Sequence, residues 1–139
     1  MTAMSAGAAS RRSGRGFRRR AVPLCRVRTA DGTIVCERCE VPTSSFARAR
    51  GLLGRSVLEP GGGMLIDAAP SVHMFFMRFP IDVVFIDRDW QVVGIRHGLR
   101  PWRVAGARRA AAALELPAGA AAAAGLEEGD VLALEGGPE

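Results

Sequence analysis

The run Val72-His73-Met74-Phe75-Phe76-Met77-Arg78-Phe79-Pro80-Ile81-Asp82-Val83-Val84-Phe85-Ile86-Asp87 constrains this chain more than any other feature. Val83 to Ile86 is an unbroken apolar stretch. It is too short for a buried helix and has the composition of a strand covered on both faces. Polar groups beside such a strand must be satisfied or functional, because leaving them bare in an apolar surround is costly. His73 to Phe79 can alternate as a strand, with His73, Phe75, Met77 and Phe79 on one face and Met74, Phe76 and Arg78 on the other. Pro80 then marks a bend or an edge, since it cannot donate to a ladder. A site is therefore expected here. Its candidate ligand-binding residues are His73, Phe75, Phe76, Met77, Arg78 and Asp82, aromatic walls with a few polar groups at a pocket rim.

The flanking sequence reads as short strands. Ala21 to Val41 predicts a hairpin around Ala30-Asp31-Gly32-Thr33, with Asp-Gly at the centre of its turn. Pro42-Thr43-Ser44-Ser45 breaks the strand and offers a hydroxyl N-cap for a short helix over Phe46 to Leu53. Met64-Leu65-Ile66 is a further strand. Asp87-Arg88-Asp89-Trp90 turns into a returning strand over Gln91 to Ile95, and Gly98 to Ala107 reads as a loop. Ala110 to Leu116 is open on its residues alone, since Ala favours helix while Leu114-Glu115-Leu116-Pro117 alternates like a strand. A short Ala-rich helix over Ala118 to Ala124 and a last strand over Val131 to Leu134 complete the chain. The fold class is mainly β: a small single-domain barrel or sandwich of short strands with one or two short helices.

Four segments, in order and spacing, resemble one known family. They are Arg48-Ala49-Arg50-Gly51-Leu52-Leu53-Gly54-Arg55 with Gly63-Met64-Leu65, the long run above, Leu114-Glu115-Leu116-Pro117-Ala118-Gly119, and Gly125-Leu126-Glu127-Glu128-Gly129-Asp130-Val131. The family is the small bacterial and archaeal domain of unknown function 192, and the resemblance covers about residues 34 to 134. It implies a compact, mainly β single domain with Ala110 to Leu116 as strand, and implies no particular activity. It also places His73 and the residues after it in the family's most distinctive motif, where many relatives carry Trp at the position of Phe76. The family usually shows Asp-Gly at the turn where this chain has Asp89-Trp90. Because a bulky residue resists positive φ, a different or longer turn is expected.

The net charge of +5 belongs to one end of the chain. Residues 1 to 28 hold eight Arg and no acid, and without those eight the remainder carries −3. The expected organisation is a disordered Arg-rich tail over residues 1–20 and a single β-rich domain over 21–135, because Ser, Gly, Ala and Arg cannot bury enough surface to offset their ordering entropy. No hydrophobic region follows Ser10-Arg11-Arg12 or precedes Cys25, so neither a twin-arginine nor a lipoprotein signal is read, and the expected location is cytoplasmic. The tail suits weak contact with acidic surfaces, and no specific nucleic-acid partner is predicted.

Cys36-Glu37-Arg38-Cys39 matches a C-x-x-C pair, but it falls at the end of a strand, where positions three apart face opposite ways. With Cys25 the count is odd, and a second pair for a zinc site is missing. Reduced thiols are expected, with no metal and no cofactor. His73, Asp82 and Glu115 could serve a metal-dependent or hydrolase-like enzyme. Asp82 is more simply read as structural, paired to Arg78 or Arg50 or capping backbone. No nucleophile elbow, phosphate loop or dinucleotide fingerprint is present. The favoured reading is a non-enzymatic β-domain that binds a small ligand, a peptide or a partner protein, and no catalytic residue is assigned. The alternatives are the enzyme above and an accessory factor of an envelope or secretion system.

Overall fold

Side-chain alternation along Ile81–Ile86 splits the protein interior in two. All six residues of this strand are buried. Ile81, Val83 and Phe85 enter one apolar cluster, while Val84 and Ile86 enter another on the opposite face. This is the strand covered on both sides that the apolar run predicts. The computed structural model describes residues 24–42, 57–74 and 77–136. The expected tail over 1–20, the helix expected over Phe46 to Leu53, and Phe75 and Phe76 lie outside the described residues.

Nine strands and one helix follow in order among these residues: β1 (Leu24–Thr29), β2 (Ile34–Glu40), β3 (Gly62–Asp67), β4 (Ser71–His73), β5 (Ile81–Ile86), β6 (Val92–Leu99), β7 (Val104–Gly106), β8 (Ala112–Pro117), α1 (Ala120–Ala123) and β9 (Leu132–Glu135). Seven strands form one sheet in the order β6-β5-β8-β3-β2-β1-β9, and β4 pairs with β7 in a second. Only β2 and β3 run parallel; the other neighbours are antiparallel. The sheet is not closed into a barrel. Its edge strands meet only where an isolated bridge joins Gln91 to Val131, so the barrel alternative gives way to a curled, sandwich-like domain. No helix among the described residues is long and apolar enough to cross a membrane.

The curled sheet holds one core on its concave face. Cys25, Val27, Cys36, Cys39, Leu65, Val84, Ile86, Leu114 and Leu116 pack there with Ala121, Leu126 and Leu132. The other face of β3, β5 and β8 is covered by Leu58, Met74 and Met77, with Val72 and Ala105 of the small sheet against them. The outer face of β1, β2 and β9 is polar. There Arg26 pairs with Glu37 at 3.2 Å, and Arg28 pairs with Glu135.

Three local expectations change. The strand expected over His73 to Phe79 ends at His73, because Met74 leaves the ladder: its N–H donates to Arg103 O at 2.7 Å, and its own carbonyl accepts from Trp102 N at 2.7 Å and Met77 N at 3.2 Å. Met74 and Met77 therefore share one cluster instead of facing opposite ways. Part of the loop expected over Gly98 to Ala107 is strand β7.

The third change concerns the cysteines. Cys25 pairs with Cys39, but Val27 pairs with Cys36, one residue out of step. The extra residue is a bulge, in which Glu37 and Arg38 both donate to Gly61 O at 2.9 Å and both face solvent. It turns Cys36 and Cys39 to the same, inner side, which simple alternation forbids.

Candidate functional site

Asp82 is the most completely tied of the residues singled out from the sequence. Its side chain is fully buried on the concave face. Oδ1 accepts the N–H of Gly98 at 2.8 Å, and Oδ2 accepts those of Gly119 at 3.0 Å and Ala121 at 2.9 Å. Its partners are backbone groups, and neither oxygen is left over. Asp82 thereby clamps the start of α1 and the end of β6 onto β5. Among the described residues backbone, and not the exposed Arg78, partners this carboxylate, and Arg50 lies outside the described residues.

The other candidates lie elsewhere. Glu115 pairs with Val83 on the neighbouring strand, so it projects from the sheet face opposite to Asp82. His73 is exposed at the end of β4, in the second sheet. Met77 is buried under the outer face of the main sheet, and Arg78 is exposed. The sheet itself thus separates Asp82 from Glu115 and Met77. Among the described residues no group of three His, Cys, Asp or Glu is placed to hold a metal.

A cleft of about 1000 Å³ opens instead at the mouth of the concave face. Three turns build its rim: Asp67-Ala68 after β3, Asp87 to Trp90 after β5, and Arg109-Ala110 before β8. Val41, Leu65, Ile86 and Leu134 form its apolar floor, continuous with the concave core. Strain converges on it. Four described residues other than glycine have positive φ, and three line this cleft: Ala68 at 58°, Trp90 at 65° and Arg109 at 66°. Each left-handed L-residue costs roughly 1–2 kcal/mol, and such strain gathers where surrounding structure or function holds it.

Trp90 corrects the turn expected from its bulk. It adopts the left-handed conformation that its bulk resists, at φ 65°. Asp87 holds the turn, with Oδ1 accepting from Asp89 N at 2.8 Å and Gln91 N at 2.9 Å, while Asp87 O accepts from Trp90 N at 3.1 Å. The half-buried indole packs on the concave core, which offsets the backbone strain. Arg88 and Arg109 reach the same cleft, and neither makes an ion pair with a described residue. Arg109 also borders a second groove of about 620 Å³, together with Arg96 and Arg108. A small amphipathic molecule could lay an apolar body on the cleft floor and indole and present an anionic group to the guanidiniums. None of His73, Met77, Arg78 or Asp82 lines either cleft. The sequence signal for the larger one was the bulky Trp90 after Asp89 in a turn, legible as an anomaly but not as a site.

The chain belongs to the domain of unknown function 192 family, described as an uncharacterized ACR, whose profile matches residues 26–134. A crystal structure of a protein of unknown function from Novosphingobium aromaticivorans is similar, at 26% identity and TM-score 0.68, over 79% of this chain and 83% of that one. A protein from Sinorhizobium meliloti, described as a candidate transcription regulator, is similar at 29% identity and TM-score 0.71, over 82% of this chain and 94% of that one. No curated protein matches the sequence.

Proposed function

We propose that the protein is a ligand-binding β-domain whose site is the cleft between the Ala68, Trp90 and Arg109 turns, and that its ligand is a small amphipathic anion. One observation carries this reading: three left-handed, non-glycine residues converge on a cleft that joins an apolar floor to an indole and two guanidiniums without ion pairs among the described residues, on a rim that also carries the carboxylates of Asp67, Asp87 and Asp89. Ligand sites are concave and mostly apolar, with a few convergent polar groups. The apolar floor would supply affinity, and Arg88 and Arg109 would select an acidic head group. A purely catalytic use of Asp82 fits less well, because its oxygens are already occupied by three backbone donors.

An anilinonaphthalene sulfonate, itself an amphipathic anion, serves as the test probe. The protein should bind it saturably near one equivalent, with a change in Trp90 emission read in a Trp102→Phe background. Arg88→Ala with Arg109→Ala should weaken binding roughly tenfold or more, since each charged hydrogen bond lost is worth about 1.5–3 kcal/mol. Absence of saturable binding by the folded protein, or binding indifferent to both arginines, would overturn the reading.

A further inference from the structure

Three buried cysteines lie together under the cleft, and nothing in the ligand-binding reading uses them. Cys25 and Cys39 are directly opposed across β1 and β2, and the bulge at Glu37-Arg38 brings Cys36 to the same inner face. All three are unbridged. Val41, which lines the cleft floor, is the next inward residue after Cys39, so the thiols sit one side-chain layer below the opening. We propose that Cys25 and Cys39 form an oxidation site, a dithiol that a small hydroperoxide converts to a cross-strand disulfide while Cys36 remains a thiol.

Directly opposed residues of an antiparallel pair hold their Cβ atoms about 4.5–5.5 Å apart, closer at non-hydrogen-bonded positions, and the Cys25 and Cys39 thiols already touch; the bond draws the Cβ atoms in to about 3.5–4.5 Å. Cys36 also touches the Cys39 sulfur, but it is not the residue opposite Cys39 and is held from a second side. Its thiol contacts Gly61 O at 3.6 Å and packs over Gly63, where a Cβ would approach its sulfur to 2.8 Å. Cys25, at 5% exposure, is the least buried of the three and the one a peroxide meets first.

Hydrogen bonding with Cys39 holds both the Cys25 and the Cys36 thiols below their ordinary range, against burial, while contacts with those two sulfurs and burial push Cys39 far above it. Thiolate character therefore suits either outer thiol, and the greater exposure of Cys25 and its place directly opposite Cys39 make it the nucleophile. Its sulfur takes the distal oxygen of hydrogen peroxide, giving a sulfenic acid as the O–O bond breaks and water leaves. The Cys39 sulfur then attacks the Cys25 sulfur, the S–O bond breaks, and the hydroxyl departs as water with the Cys39 proton. Two thiols are oxidised, one peroxide is reduced, and two waters form.

Trypsin separates the three positions, because cleavage after Arg20, Arg26, Arg28, Arg38 and Arg48 leaves each cysteine on its own peptide. Reduced full-length protein is treated with hydrogen peroxide while folded, quenched by alkylation in denaturant, digested and mapped by mass. The expected product joins residues 21–26 to residues 39–48 and leaves Cys36 alkylated. Cys36→Ser should retain that link, and Cys39→Ser should lose it at least tenfold. The wild-type map decides even if a variant fails to fold. Three alkylated thiols, a link through Cys36, or the same mixture of links from protein oxidised in denaturant would overturn the proposal.

Discussion

Asp82 Oδ2 accepts the backbone N–H of Ala121 at 2.9 Å, tying the second residue of β5 to the second residue of α1 across 39 positions of sequence. Gly119 and Gly98 donate to the same carboxylate. A helix of four residues cannot hold itself in water. Here one buried anion orients it by gathering backbone donors that would otherwise be stranded.

Replacing Asp82 by Ala should therefore destabilise the protein by roughly 3–5 kcal/mol, because one buried and two partly buried hydrogen bonds lose a charged acceptor together. Asn should recover only part of the loss, since its amide sets an N–H against donors. Urea unfolding of both variants measures the cost, and amide exchange reads the mechanism: Gly98, Gly119 and Ala121 should lose protection first. A melt within about 0.5 kcal/mol of wild type would show that the clamp is dispensable.

The folding pattern was legible where it depends on neighbours in sequence. The apolar run specifies β5, and Asp31-Gly32 specifies the β1–β2 turn, with Gly32 at φ 98°. It was illegible where long-range pairing overrides alternation. Met74 leaves its strand for Arg103 and Trp102, and the C-x-x-C pair turns inward through a bulge set by the β1–β2 register and the Gly61 contact. The partners of Asp82 are backbone groups, which carry no side-chain signature. The cleft joins turns from three separate hairpins and crossovers, so no single segment announces it.

Acid should loosen the β1–β2 turn. The Thr29 hydroxyl, followed by the Thr33 N–H and hydroxyl, holds the Asp31 carboxyl below its ordinary range. A carboxylate so depressed contributes stability above its unfolded value, about pH 4, and that contribution fades as pH falls through the lower folded value. Asp31→Ala should then be less stable than wild type at neutral pH and converge with it in strong acid. A difference in stability that stays constant across that window would remove the role of the charge.

The two tryptophans should report separately. Trp102 is 58% exposed, whereas Trp90 is half-buried against the concave core. In Trp102→Phe, emission should be blue-shifted and resist acrylamide; in Trp90→Phe it should be red-shifted and readily quenched. Trp90→Gly tests the strain itself, because glycine adopts positive φ freely. Relief of about 1–2 kcal/mol should partly offset the lost indole packing, so the Gly variant should melt above the Ala variant. Equal melts would mean that the left-handed turn stores no strain.

Gly63 offers the sharpest packing test because its neighbours close on it from two sides. A Cβ there would lie 2.8 Å from Cys36 Sγ, 2.9 Å from Glu115 O and 3.1 Å from Leu116 Cδ2. The leucine methyl can swing, but the carbonyl belongs to β8, whose residues pair with both β3 and β5. Gly63→Ala should cost about 1–3 kcal/mol, the usual range for an overfilled core. Cys36→Ala alone removes a buried sulfur and should be mildly destabilising. Combined, the two changes should cost less than their sum, since the alanine methyl loses its sulfur clash. The double variant should still fall short of Cys36→Ala alone, because the carbonyl contact remains. Strict additivity in urea unfolding would place Cys36 away from Gly63, and the inward turn of the bulged strand would be wrong.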